Sequence, residues 1–319
     1  ALDAATGRIL WERTAHDGAV YDNRHRKNTY ATPTPAADGR AIYAWFGSEG
    51  LYAYDFSGKL LWKSSLGPLA AMGMGVASSP ALYRGLVILQ CDQDNGEKSF
   101  LAAVRSQDGR EAWRVKRTAL EGWATPVVAR GRERDELIVS ARELVAAHDP
   151  ASGKELWRSE GTGVNPAPSP VAGHGLVYLT AGAGEKKALA VRLGGAGEIA
   201  WRYNRGTAHV ASPLVYGDYL YLMMDNGALS CLDARTGEVK YAGARLPAPA
   251  SFSASMVAVD GRILLASEEG EVYLVRAGPK WELLGARSLG EGVYASPAIA
   301  GGRLFIRGER TLFCIGKRK

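Results

Sequence analysis

Cysteine and histidine are scarce in this chain, with three and five residues respectively. Cys91, Cys231 and Cys314 lie far apart in apolar runs, with no CxxC, no CxxCH and no adjacent pair. That excludes the usual spacings for structural zinc and covalent haem, and it predicts three buried thiols. The histidines at 16, 25, 148, 174 and 209 show neither HxxxH nor HExxH spacing, so the common zinc-hydrolase pattern is missing. No run approaches the roughly 18 uninterrupted apolar residues of a membrane-crossing helix. Helical periodicity of useful length is absent as well. Lys and Arg number 39 against 33 Asp and Glu, but the signs mostly alternate. Only Arg24-His25-Arg26-Lys27 and the terminal Lys317-Arg318-Lys319 form basic runs. A nucleic-acid footprint needs a denser basic face with interleaved aromatics, so nucleic acid is not an expected partner.

What the chain has is repetition. A phrase of the form apolar-x-Asp-x-x-Thr/Ser-Gly-x-x-x-Trp ends at Trp11, Trp62, Trp113, Trp157 and Trp201, with Tyr241 replacing Trp in a further copy. Ala277-Gly278-Pro279-Lys280-Trp281 is the most degenerate copy. A second phrase, small-Ser/Thr-Pro before alternating apolar residues, places its prolines at 33, 80, 126, 170, 213 and 297, with Met256 at the corresponding place. The mean step is 44 residues, the length of a four-stranded propeller blade. Within one unit, Leu214-Val215-Tyr216-Gly217-Asp218-Tyr219-Leu220-Tyr221 reads as strand, turn and strand. Asn226-Gly227 then marks a tight turn into a third strand. The Asp-x-x-Thr-Gly phrase turns the chain outward, its glycine supplying positive φ and its Asp and Thr bonding free amides. The closing aromatic is expected to pack on a neighbouring blade.

The fold class expected is therefore all-β, a propeller of four-stranded antiparallel blades in a single domain over residues 1–319. Seven inner three-strand sets start near residues 30, 77, 123, 167, 210, 252 and 294, and seven outer strands end near 11, 62, 113, 157, 201, 241 and 281. Residues 1–11 are expected to complete the last blade, since closure removes exposed strand edges. The opening Ala1-Leu2-Asp3-Ala4-Ala5-Thr6-Gly7 shows no signal-peptide pattern and reads as the middle of a repeat.

These phrases resemble the tryptophan-docking repeats of the pyrroloquinoline-quinone-type β-propeller superfamily, which holds quinoprotein alcohol dehydrogenases and the BamB outer-membrane assembly lipoprotein. Lys27-Asn28-Thr29-Tyr30-Ala31, Gly50-Leu51-Tyr52-Ala53-Tyr54-Asp55 and the 214–221 segment are similar to the quinone-binding-like repeat proteins of that superfamily. The resemblance implies export to the periplasm or beyond. It also implies a further blade at the N-terminus in related chains, which leaves both a seven-bladed closure and an eight-bladed parent open. Kinship with the dehydrogenases would imply a cysteine pair over the quinone, a calcium or lanthanide held by Glu, Asn and Asp, and a catalytic Asp. This sequence has no Cys-Cys and no copy of that constellation, and fold kinship does not transfer chemistry. No cofactor and no catalytic residue are assigned, and quinone with calcium is kept as the alternative.

Other motifs reduce to turns. Gly47-Ser48-Glu49-Gly50 lacks the strand-to-helix setting of a nucleophile elbow. Gly182-Ala183-Gly184-Glu185-Lys186-Lys187 has no following helix to bind phosphate. His148 and His174 are expected in turns, as surface or capping residues. Asp92-Gln93-Asp94-Asn95-Gly96-Glu97 spaces oxygen ligands loosely like a calcium turn but lacks the later bidentate Glu. Asp92, Asp94 and Asn95 are weak metal candidates beside the plainer reading of a solvated turn. The connection from Glu12 to Thr29 exceeds the usual loop length. Its residues His16, Asp22, Arg24, His25, Arg26 and Lys27 form the candidate ligand or partner surface. Propeller connectivity would put it on the same face as the acidic loop.

Three function classes remain: a non-catalytic exported scaffold binding a protein or ligand, a quinone-linked oxidoreductase with degenerate ligands, and a carbohydrate- or polyanion-binding module. The first is preferred. Its expected partner is a protein or a small-molecule or glycan ligand, and the chain is expected to be a monomer.

Overall fold

A computed structural model describes every residue except Asp22, Arg132, Asn165 and 317–319. Among the described residues the chain forms seven antiparallel sheets and two single 3-10 turns, Gly47–Glu49 and Gly96–Lys98. Six sheets, spanning 36–64, 81–116, 127–160, 171–203, 214–244 and 257–288, have four strands in sequence order, and the sheet over 298–315 has three. The fold class is thus all-β, built of β-propeller blades. Contacts divide the chain into two compact units, Ala1–Glu160 and Gly161–Lys319.

In the four-stranded sheets the second and third strands are largely covered on both faces, which explains their continuous apolar runs. Leu86–Cys91 and Leu176–Ala181 are buried along nearly their whole length. Outer strands alternate instead: in Glu111–Lys116 only Trp113 and Val115 turn inward. Apolar clusters sit between consecutive sheets. One joins Tyr43, Trp45 and Leu51 to Val87, Leu89 and Val104, and another joins Tyr221 and Met223 to Ile263, Leu265 and Val275. This is the seam that the closing aromatics predict.

The docking phrase performs two tasks. Asp233 Oδ1 accepts bonds from the Arg235 and Thr236 amides and the Thr236 hydroxyl, at 3.0, 2.9 and 3.0 Å. Asp3 and Asp55 hold their turns in the same way. The turn glycine then accepts an indole face from the preceding copy: a Cβ on Gly58, Gly109, Gly153 or Gly237 would lie 2.5–2.7 Å from Trp11, Trp62, Trp113 or Trp201. Three of these indoles donate to a carbonyl in the same turn, Trp11 to Phe56, Trp62 to Ser106 and Trp201 to Ala234.

Each docking Trp of a regular sheet faces an alanine across the ladder: Ala53, Ala103, Ala147 and Ala190 oppose Trp62, Trp113, Trp157 and Trp201. A register shift follows that alanine in all four sheets. A small residue leaves room for the indole, and the bulge re-aims the outer strand. The degenerate copy departs from this pattern and from the expected strand end at 281. Its outer strand is Leu283–Ser288, where Ala286 opposes Tyr273. Trp281 precedes the strand and meets the Tyr241 ring edge-on, with centroids 6.0 Å apart.

The Ser/Thr-Pro phrase links first strands. The Thr34 amide donates to the Ser79 hydroxyl and the Ser79 amide to Thr125. In the second unit the chain runs Ser169 to Ser212 to Ser255 to Ser296, each bond 2.9 Å. Thr34-Pro35, rather than Pro33, therefore occupies the first register, because Thr34 is the residue that donates to its counterpart 45 positions on.

Candidate functional site

In the first unit, loops that follow second and fourth strands meet at one end and are tied into a continuous surface. Segment 70–76 is its centre. The Asp94 carboxylate accepts from the Met72 amide, the Asp94 amide donates to Ala70 O at 3.0 Å, and the Met74 amide donates to Ala71 O at 2.8 Å. On its other side the His25 amide donates to Met74 O at 3.0 Å. The Trp123 indole donates to Gly75 O at 3.1 Å. Ser48 bonds both the amide and the carbonyl of Leu69. The acidic loop and the basic loop thus bracket the same segment.

The long connection is exposed for most of its length. His16 lies locally against Ala19 O at 3.0 Å. Arg24 donates to Asn28 O at 2.8 Å while its guanidinium lies over the Tyr30 ring, 5.5 Å from the centroid. His25 is half-buried, and its Nδ1 accepts from the Lys27 amide at 3.3 Å. Arg26 and Lys27 are exposed. Asp22 lies outside the described residues. The Tyr21 amide donates to Glu49 at 2.7 Å, which fixes the loop to the hairpin turn Gly47–Glu49. Arg24 and His25 are thereby set beside segment 70–76, whereas His16 bonds locally to Ala19 among the described residues.

The acidic loop is divided by burial. Asp92 has a fully buried side chain 3.2 Å from the Arg117 guanidinium, itself buried. Gln90 donates to Asp92 at 2.7 Å and to Ser140 O at 2.8 Å. Burial pushes the Asp92 carboxyl up to about 6, against the pull of Arg117 and Gln90. A second pair, Glu121 with Arg142 at 3.4 Å, lies on the adjoining loop. Asn95 caps its own turn by accepting from the Glu97 amide. Asp92, Asp94 and Asn95 each face a different protein donor and do not converge. Among the described residues no three His, Cys, Asp or Glu side chains group as a metal site.

Two expectations about single residues change. His148 is a strand residue, 3% exposed, with its ring bonded to Gly153 O at 2.9 Å, and burial holds its pKa below the ordinary value. Sequence placed it in a turn because Asp149 begins the docking turn one residue later. Cys314 is exposed rather than buried, while Cys91 and Cys231 are buried. Its strand, Leu312–Ile315, is the last strand of the three-stranded sheet, with no fourth strand paired to it among the described residues. His174, by contrast, sits at a turn with φ +56 and bonds Gly217 O.

Sequence reasoning missed the apolar members of the loop end. Tyr21, Met72, Tyr30, Leu120 and Met74 are 62, 50, 45, 40 and 39% exposed. Their one signal was Met72-Gly73-Met74 inside a Gly-rich connection. Elsewhere on this unit, a polar hollow of about 400 Å³ is lined by Tyr83, Arg84, Glu133, Arg134, Asp135 and Asp149. Arg84 and Asp135 pair there at 3.3 Å, and the Tyr83 hydroxyl is hydrogen-bonded to the same Asp135 carboxylate.

Four-stranded blades whose indoles dock on the glycine of the following turn define a tryptophan-docked β-propeller. The family model described as outer membrane protein assembly factor BamB matches residues 1–141 and 141–315, and the chain belongs to that family. Among solved structures, BamB from Moraxella catarrhalis is similar at 14% identity with a TM-score of 0.70, covering 87% of this chain and 82% of that one. A quinohemoprotein alcohol dehydrogenase from Comamonas testosteroni is similar at 12% identity and TM-score 0.67, over 96% of this chain and 66% of that one. A europium-containing methanol dehydrogenase follows at 12% identity and TM-score 0.61, over 85% and 73%. No curated protein matches the chain. At these identities the likenesses establish the fold.

The dehydrogenase neighbours raise the question of a quinone and its cation. The donor set here does not fit them. The cysteines stand singly, and the carboxylates of the loop end are turned to arginines and backbone amides rather than to a shared point. No step is derived through such a group.

Proposed function

We propose that the chain is a non-catalytic scaffold of the cell envelope that binds a protein partner through the loop end of its first unit. The observation that carries this reading is the construction of that end. Several of its charged groups hold loops in place, and exposed Tyr, Met and Arg side chains stand beside a small recess lined by Arg24, Tyr30, Phe46, Glu49 and Val76. Such a mixture is enriched at protein interfaces, whereas an active site needs convergent polar groups in a recess. Membership of the BamB family supports a protein partner and a periplasmic setting. No helix among the described residues is long and apolar enough to cross a membrane. In this reading His16, Arg24, His25, Arg26 and Lys27 supply the polar rim.

The test is photo-crosslinking of the full chain in envelope extract, with the photoreactive residue placed in turn at Tyr30 and Leu120. A discrete adduct identified as one envelope protein is the expected outcome. Absence of any specific adduct, together with quinone-dependent dye reduction by the purified chain, would replace the scaffold with an oxidoreductase.

A further inference from the structure

Five of the seven sheets turn from first to second strand in two residues, as at Arg84-Gly85 and Asp260-Gly261. The sheet over 127–160 spends four positions, 131–134, between Val127–Arg130 and Asp135–Ala141. The Gly131 amide closes this turn on Arg134 O at 3.0 Å, and a Cβ on Gly131 would lie 2.4 Å from that oxygen. Only glycine fits there. The other four-residue turn, 38–41, folds its acid inward: Asp38 accepts from the Arg40 and Ala41 amides and from the Tyr43 hydroxyl. In 131–134 the acid, Glu133, is exposed.

The longer turn changes the seam beside it. In the second unit, turns of neighbouring sheets close the corresponding seams directly. The His174 ring bonds Gly217 O, and the Tyr216 hydroxyl accepts from the Gly261 amide, both at 2.9 Å. Between the sheets over 81–116 and 127–160 the Tyr83 hydroxyl bonds the Asp135 carboxylate instead. The Arg84 guanidinium lies over the Tyr83 ring, 5.1 Å from its centroid, and bonds the same acid. A hollow of about 400 Å³ is left at this seam, lined in addition by Glu133, Arg134, Asp149 and Leu156. First-to-second and third-to-fourth turns share one end of an antiparallel sheet. The hollow is therefore at the end of the unit opposite segment 70–76.

The lining sets the chemistry of an occupant. Among its described residues Arg84 and Arg134 donate, Glu133, Asp135 and Asp149 accept, and the Tyr83 hydroxyl does both. Protein partners hold several of these groups in place: Arg134 is paired with the buried Glu136 at 3.0 Å, and Asp149 accepts from the Ala151 amide at 2.7 Å. Because the two signs interleave, neither a polyanion nor a polycation meets a field of one sign. Hydroxyl groups match such a lining, since each donates to a carboxylate and accepts from a guanidinium. The paired oxygens of a carboxylate and the paired N–H groups of a guanidinium can each span adjacent hydroxyls of one ring. Leu156 and the Tyr83 ring supply apolar surface for a C–H face. The volume falls at the lower end of small-molecule sites. We propose that this hollow binds a neutral sugar of one or two rings. It is a site separate from the loop end, and neither reading depends on the other.

The experiment is saturation-transfer NMR and calorimetry of the full chain with maltose, cellobiose, lactose and diacetylchitobiose, with glutamate, spermidine and heparin as charged competitors. At least one of the sugars is expected to bind saturably, with no competition from the charged compounds. Leu156→Trp, which fills the hollow, should abolish binding, as should replacement of 131–134 by the Asp-Gly turn found at 260–261. Asp135→Asn should weaken binding about tenfold, the loss of one hydrogen bond to a charged group. Photo-adducts at Tyr30 should be unchanged by Leu156→Trp, which keeps the two sites distinguishable. Absence of saturable binding by all of these sugars overturns the inference. Full binding by Leu156→Trp overturns it as well, by placing the sugar elsewhere. Displacement by spermidine, glutamate or heparin overturns it in favour of a charged ligand.

Discussion

The Trp62 indole lies face-on against Gly109, so closely that a Cβ at Gly109 would come within 2.5 Å of the ring. The same residue has φ +70. Clash and strain are separable, because Gly39 has φ +85 with nothing within 4 Å of its would-be Cβ. Gly39→Ala is expected to cost about 1 kcal/mol from strain alone. Gly109→Ala adds overpacking and is expected to cost about 2–4 kcal/mol. Urea denaturation followed by tryptophan fluorescence checks the difference; equal losses would mean that the indole yields freely.

Trp157 and Trp113 occupy equivalent strand positions with different partners. The Trp157 indole donates at 3.1 Å to Glu136, whose side chain is buried, whereas the buried Trp113 Nε1 has no acceptor among the described residues. Replacement of either by Phe removes similar ring area. Trp157→Phe is expected to be the more destabilising by about 1.5–3 kcal/mol, the range for a bond to a charged group. Chemical denaturation of the two variants side by side decides it.

Asp92 gives stability a particular pH dependence. Burial raises its folded-state pKa to about 6, above the carboxylate value of the unfolded chain. The folded protein therefore takes up this proton first, and the contribution of Asp92 to stability rises as pH falls through about 6 towards 4. Relative to Asp92→Asn, wild type should gain on the order of 1–3 kcal/mol between pH 7 and pH 4. A difference independent of pH, or one that shrinks on acidification, would show that Arg117 dominates the site.

Thiol reactivity follows burial. Cys91 and Cys231 are buried, and burial raises both thiols, that of Cys231 to about 12. At neutral pH a bulky maleimide is expected to label one cysteine per native chain, Cys314, and all three after denaturation. Mass spectrometry of the labelled protein gives the count and the position.

Ser79 shows how much of the blade-to-blade register rests on one hydroxyl. It accepts from the Thr34 amide at 2.9 Å and its own amide donates to Thr125 at 3.0 Å. Ser79→Ala should cost about 1 kcal/mol and Ser79→Thr much less, since the hydroxyl is retained. Thermal melts of both variants distinguish the bond from simple packing.

The blade was legible in the sequence because its parts are local. The Asp-x-x-Thr-Gly turn, the continuous apolar runs of the middle strands and the closing aromatic all act within one repeat, so their spacing alone gives the four-stranded antiparallel unit. Ser/Thr-Pro was visible as a phrase, but its bond partner lies a whole blade away, which is why Pro33 looked equivalent to Pro80 when Thr34-Pro35 holds that register. His148 and Cys314 were misjudged for a related reason: burial depends on which strand covers another. The candidate surface divides along the same line. Arg24 to Lys27 stood out as a run of like charge in an overlong loop. The position of Met72 and Met74 beside them is set by amides and carbonyls from loops up to about 50 residues apart, and no periodicity records those bonds. Local patterning thus determined the repeat, its turns and its strand count, while the tertiary structure alone decided which charges are consumed inside the protein and which side chains are left exposed at the loop end.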